Sequence, residues 1–178
     1  MIGFLRCIGL LNAAIWFGAG IFFSFFAGPA LFSEDMRQLL EAKFYPFYSG
    51  AIAQIVIARY FKLEIICGTI AILHMLAEQF YFGRAPQKRW LSLLIGLFAL
   101  SLLGGCWLQP KLRALHTTKY AVNAPQATRE AASETFKTWH GISQVANLLM
   151  LVGLGFYVVR VGTPRESTHF IGGGKFRS

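Results

Sequence analysis

Two groups of polar side chains interrupt an otherwise apolar sequence. In "YFKLEIICGTIAILHMLAEQFYF" (60–82), His74 and Glu78 stand one helical turn apart. At that spacing a carboxylate can orient an imidazole, or share a proton or a metal ion with it. In "WHGISQVANLLMLVGLGFYVV" (139–159), His140, Ser143, Gln144 and Asn147 fall at i, i+3, i+4 and i+7, one polar stripe along an apolar helix. In such a setting hydroxyls and amides serve most often as interhelical hydrogen-bond partners, whereas an imidazole marks a candidate site. Glu78 lies near the end of its apolar run, so an interfacial ion pair is the first reading of it and a shared site with His74 the second.

Beyond these residues there is no nucleophile beside a base, no phosphate-binding loop and no pair of carboxylates. The sequence therefore argues against an enzyme and for no cofactor. Haem or copper held by His74 and His140 is the alternative. On helices measured from a common face at ~1.5 Å per residue, His74 lies ~20 Å deep and His140 ~3 Å, and one metal cannot bridge that gap. Asn12 comes out close in depth to His74, and the two are expected to approach each other. Cys7, Cys67 and Cys106 are odd in number and lie in or beside apolar runs, where free thiols acting as small fillers are expected.

The elements that must position these residues are set by composition. Of 178 residues 55% are hydrophobic and 14% charged, with a mean hydropathy of +0.50, outside the range of soluble domains. Residues 7–33, 90–110 and 138–159 carry no charge, so Lys and Arg crowd into the connections, where they meet lipid headgroups rather than nucleic acid. Crossing a ~30 Å hydrocarbon layer takes about 20 helical residues. The reading is an all-α integral membrane four-helix bundle, with spans at about 7–32, 60–82, 90–108 and 138–160 and a flexible tail over 163–178. The second span is punctuated by Lys62, Glu64 and Glu78, and Arg59 and Lys62 are taken to snorkel to one interface.

Between the first two spans, Ser33 before Glu34 and Asp35 has the form of a helix start. Pro46 should interrupt or kink the helix beyond it, and "FYSGAIAQIVIARYF" (47–61) has the pattern of an extra interfacial helix. Pro110 should close the third span, and "PQATREAASETFKT" (125–138) reads as a polar helix continuous with the fourth. The first apolar run is too long for a secretory signal and is expected to stay as an anchor. Basic residues on the two sides nearly balance. Arg84, Lys88 and Arg89 in the short 83–89 loop tip the expectation toward a bacterial cytoplasmic membrane with both termini cytoplasmic.

In "GAGIFFSFFAGPALF" (18–32), Gly20, Ser24 and Gly28 recur every four residues, a narrow stripe that lets a neighbouring helix approach closely. Internal packing is the first reading of that stripe and a homo-oligomer interface the second.

"WFGAGIFFSFFAGPALF", "SGAIAQIVIARYF", "LQPKLRALH" and "FKTWHGISQVANLLMLVGL", taken in order, resemble the small four-span membrane proteins similar to transmembrane protein 205. His140, Gly141 and Ser143 at the entry to the last span are the most distinctive element. The resemblance implies a multi-pass helical fold without an assigned reaction. A more distant similarity to copper-resistance membrane proteins of the CopD type meets a sequence with few Met and no paired His at a common depth. Three roles are consistent with these residues: a non-enzymatic accessory or small-solute bundle in the lipid bilayer, a haem- or copper-handling redox protein, or proton-coupled transport through His74, Glu78 and Asn12 in an oligomer.

Overall fold

A computed structural model describes residues 2–82 and 88–163, and every regular element among them is helical. The first rod comprises α1 (Ile2–Phe22), a π-helical segment (Phe23–Ala27) and α2 (Gly28–Leu31). Then comes a short helix, α3 (Glu34–Leu39), capped by the Ser33 hydroxyl, which accepts from the Met36 N–H at 3.2 Å. The second rod is α4 (Glu41–Phe82), 42 residues without a break. The third rod is α5 (Lys88–Leu103), a second π-helical segment (Gly104–Leu108) and α6 (Gln109–Lys119), and the fourth is α7 (Gln126–Gly162).

Both π-helical segments have the same local cause. Each stands two residues before a proline, Pro29 or Pro110, whose ring clashes with the carbonyl four residues back and whose nitrogen donates nothing. Widening the preceding turn absorbs the clash: the Gly28 N–H bonds to the Phe23 carbonyl and the Gln109 N–H to that of Gly104, five residues back in each case. Pro110 therefore does not close the third helix, which runs on to Lys119. Pro46 does not interrupt α4 either, since it sits near the start, where few intrahelical bonds are lost. As a result 47–61 is not a separate interfacial helix but the first part of the rod that carries 60–82. The expected tail beyond Thr163, and Arg84 in the 83–89 loop, lie outside the described residues.

The rods pack as antiparallel neighbours. α4 lies against α1 and against the third rod, and α7 lies against the same two on the other side. The register between α1 and α4 is fixed by Leu5 meeting His74 and Asn12 meeting Cys67. Along the third rod, Gly50 meets His116, Phe61 meets Gly104, and Gly68 meets Phe98. The core joins all four rods through Ala13, Trp16, Cys67, Ala71, Leu94, Leu97, Met150, Leu154 and Tyr157. Trp16 is wholly buried and packs edge-on against Tyr157. Outward faces are greasy, with Phe22, Phe25, Phe26, Leu148, Leu149 and Phe156 all exposed. Three helices, Gly3–Leu31, Lys88–Lys119 and Gln126–Gly162, are long and apolar enough to cross a membrane.

Candidate functional site

Positions 53, 60, 64, 67, 71 and 74 of α4 are buried, a three-and-four alternation that turns one face of the helix inward. Glu64 occupies that face and is 3% exposed. No Lys or Arg pairs with it among the described residues. The hydroxyls of Tyr60, one turn earlier, and Ser101 on α5 lie beside its carboxyl. Tyr60 is itself held by stacking on Phe23 of the first π-helical segment, ring centroids 4.5 Å apart, and its hydroxyl has no well-formed hydrogen bond among the described residues.

Glu64 opens onto a cleft of about 110 Å³ between α4, the third rod and α7. Its walls include Phe61, Gly104 and Trp107, with Ser143, Asn147 and Met150 on the α7 side. Gly104 is there for steric reasons, because a Cβ would overlap the Phe61 ring. Asn147 also donates to the Ser24 hydroxyl at 2.7 Å, tying α7 to the first π-helical segment. The two π-helical segments thus flank one polar level of the bundle, a placement common at functional sites.

Of the residues singled out in the sequence, the structure brings Ser143 and Asn147 into this cleft and turns Gln144 outward. His140 is exposed, its ring stacked on Phe136 at 5.6 Å, and its carbonyl accepts from the Ser143 hydroxyl at 2.6 Å. Asn12 and His74 do not pair with each other. Asn12 donates to the Cys67 carbonyl at 2.9 Å, and His74 donates through Nε2 to the Leu5 carbonyl at 2.8 Å, two turns away along the antiparallel helix pair. Similar depth would put the two within reach, but the actual register offers each a nearer backbone acceptor. Glu78 is half-buried and within electrostatic reach of Tyr157.

Gly20 admits Leu151, whose Cδ2 would lie 2.7 Å from an added Cβ. At Gly28 a Cβ would meet only the Phe23 carbonyl of its own rod, because the intervening π turn carries residue 28 off the stripe. Cys7, Cys67 and Cys106 are free thiols. Among the described residues no three His, Cys, Asp or Glu side chains converge.

Glu64 escapes a reading of the sequence because it looks like a charge interrupting a span. The alternation of inward positions through Tyr60, Glu64, Cys67 and Ala71 is the signal that could have found it.

A second site lies at the far end of α4. His116 of α6 is buried with its ring over Gly50, where a Cβ would overlap Nε2. Phe47, Tyr120 and Phe136 surround the ring, with centroids 5.0–6.2 Å away. Burial, with a smaller contribution from Lys119, pushes this imidazole below its ordinary value, against the opposing hydrogen bond to the Pro46 carbonyl.

Residues 11–121 match the family described as a domain of unknown function, DUF4149. The chain belongs to this family. A DUF4149 match of that extent takes in Ser24, Tyr60, Glu64, Ser101 and Gly104, and stops short of α7 with Ser143 and Asn147. The chain is also 30% identical over 155 residues to an uncharacterised protein of Aquifex aeolicus (strain VF5), an alignment that covers 86% of this chain and 95% of that one. No solved structure matches.

Proposed function

We propose that this DUF4149 protein is a four-span integral membrane protein with a non-enzymatic, small-solute-handling or accessory role, and that α4 supplies the fourth crossing. The observation that carries this reading is a pair of aromatic and cationic girdles. At one level Trp107 and Trp139 pack edge-on at 5.1 Å with Lys111 over both, 3.7 Å from the Trp139 ring. At the other, Arg160 lies 5.6 Å from Trp90. Trp90 and Trp107 are separated by ~26 Å of helix, and Trp139 and Arg160 by ~32 Å, which brackets the ~30 Å thickness of a bilayer core.

The contacts of Phe61 with Gly104 and of Gly68 with Phe98 align α4 with the third rod, and its stretch between the girdles runs over roughly 58–75. Within that stretch Arg59 and Lys62 are exposed near the Trp107 level, where their stems can run to the interface, and Glu64 is turned inward. The charges that deny α4 the apolarity of its neighbours are thus compatible with a crossing. The similarity to the transmembrane protein 205 group supports the same architecture. Both termini are assigned to the cytoplasmic face on the basic 83–89 loop, and the exposed apolar faces to lipid.

The test is a cysteine scan of α4 in native membranes. Thr69 and Leu73, exposed on the outward face between the girdles, should resist an aqueous maleimide when changed to Cys, whereas Lys43→Cys should react. Equal reactivity at all three positions would refute the crossing.

A further inference from the structure

We propose that the cleft beside Glu64 is a binding site for a small alkylammonium ion, with the Glu64 carboxylate as its counter-ion. This inference draws on the four-span reading only for the depth of the site, since binding itself can be measured in detergent.

The first observation is a buried acidic group without a cationic partner, since the Tyr60 and Ser101 hydroxyls beside it supply no opposite charge. Glu64 is only 3% exposed and lines the cleft, and no cationic side chain of the described residues pairs with it. A carboxylate withdrawn from water calls for a partner of opposite charge. Arg59 and Lys62, its nearest cations in sequence, are exposed on other faces of α4.

The second observation is the chemistry of the walls. Ser143 and Asn147 offer oxygen acceptors for N–H donors, while Phe61 and Trp107 present aromatic surface and Met150 a polarisable thioether. A metal cation would want several oxygen or imidazole ligands, and the cleft has one carboxylate and no histidine or cysteine. An ammonium group on a short hydrocarbon is satisfied by one carboxylate, one or two neutral acceptors and an aromatic face. The third observation is size: about 110 Å³ is less than the ~150 Å³ that admits benzene in an engineered cavity, which limits the alkyl group to a few carbons. Widened π turns on both flanking rods shape the same level.

Calorimetric titration of the full chain in mild detergent tests the proposal, with butylammonium chloride as probe and 1-butanol as its neutral counterpart of similar size. Butylammonium should bind saturably, and 1-butanol at least about tenfold more weakly. Glu64→Gln should lower butylammonium affinity by a similar factor. Ala146 lies on the α7 wall of the cleft between Ser143 and Asn147; Ala146→Leu, which narrows the cleft without touching the charge, should also weaken binding, and this variant decides the matter if Glu64→Gln does not fold. Equal affinity for the alcohol, unchanged affinity in either variant, or no saturable binding would overturn the proposal. If binding fails while the protein still passes the α4 accessibility test, the ligand assignment falls and the four-span reading stands.

Discussion

Replacing Gly50 with Ala tests how α4 is keyed to the third rod. In an exposed helix this change stabilises by about 1 kcal/mol, because alanine loses less backbone freedom on folding. Here the added methyl would sit 2.8 Å from His116 Cδ2 and overlap its Nε2. The imidazole cannot easily yield, since Phe47 stacks on it at 5.6 Å and Tyr120 crowds it at 5.0 Å. Overpacking of this kind costs about 1–3 kcal/mol, so with the gain of about 1 kcal/mol subtracted the net effect expected is a loss of up to about 2 kcal/mol, centred on about 1 kcal/mol. At about 2–4 °C per kcal/mol for a chain of this size, Tm in detergent should fall by several degrees. The same substitution in a His116→Ala background has nothing to strike and should become neutral or stabilising. The double-mutant cycle then reports a coupling of about 2 kcal/mol. A rise in Tm for Gly50→Ala alone, or no change of sign in the His116→Ala background, would refute the reasoning.

Other consequences are open to the same assay. Asn147→Ala removes the bond to Ser24 and should cost about 0.6–1.7 kcal/mol, with little further loss when Ser24→Ala is added; strictly additive losses would show that the two residues do not interact. Gly20→Val drives side-chain atoms into Leu151 and should lower Tm by an amount corresponding to about 1–3 kcal/mol, partly restored by Leu151→Ala. His116 has its imidazole pushed below the ordinary value, so the unfolded chain binds more protons than the folded one as acidity rises. Stability should therefore fall as pH drops below about 6.5, and His116→Phe should flatten that slope between about pH 7 and 5; an unchanged slope in the variant would contradict the assignment.

The helical character of the chain is legible because uncharged runs longer than a span have few other fates. Boundaries are less so. Pro46 and Pro110 read as helix breakers, yet one falls near a helix start and the other is accommodated by a π turn, a local adjustment with no signature in hydropathy. The polar stripe on α7 is visible from its spacing, and part of it, Ser143 and Asn147, lines the cleft. The other half of that cleft is hidden, because Glu64 counts as a cost to the second span until it is placed on its helical face. Depth counting from approximate helix ends puts Asn12 near His74, and an offset of two turns in the antiparallel register is enough to give them separate carbonyl partners. His116 carries little local signal, because beyond Tyr120 one turn along its own helix its environment comes from two separate segments, around Phe47 and Phe136, that only tertiary packing brings together.

The number of crossings is tested most directly by the sidedness of the two ends. Reporters fused to the N-terminus and to the C-terminus should be accessible from the same face of the membrane, and a reporter inserted at Val122, in the turn between α6 and α7, from the opposite face. Termini found on opposite faces would mean an odd number of crossings and would contradict the placement of α4 across the bilayer.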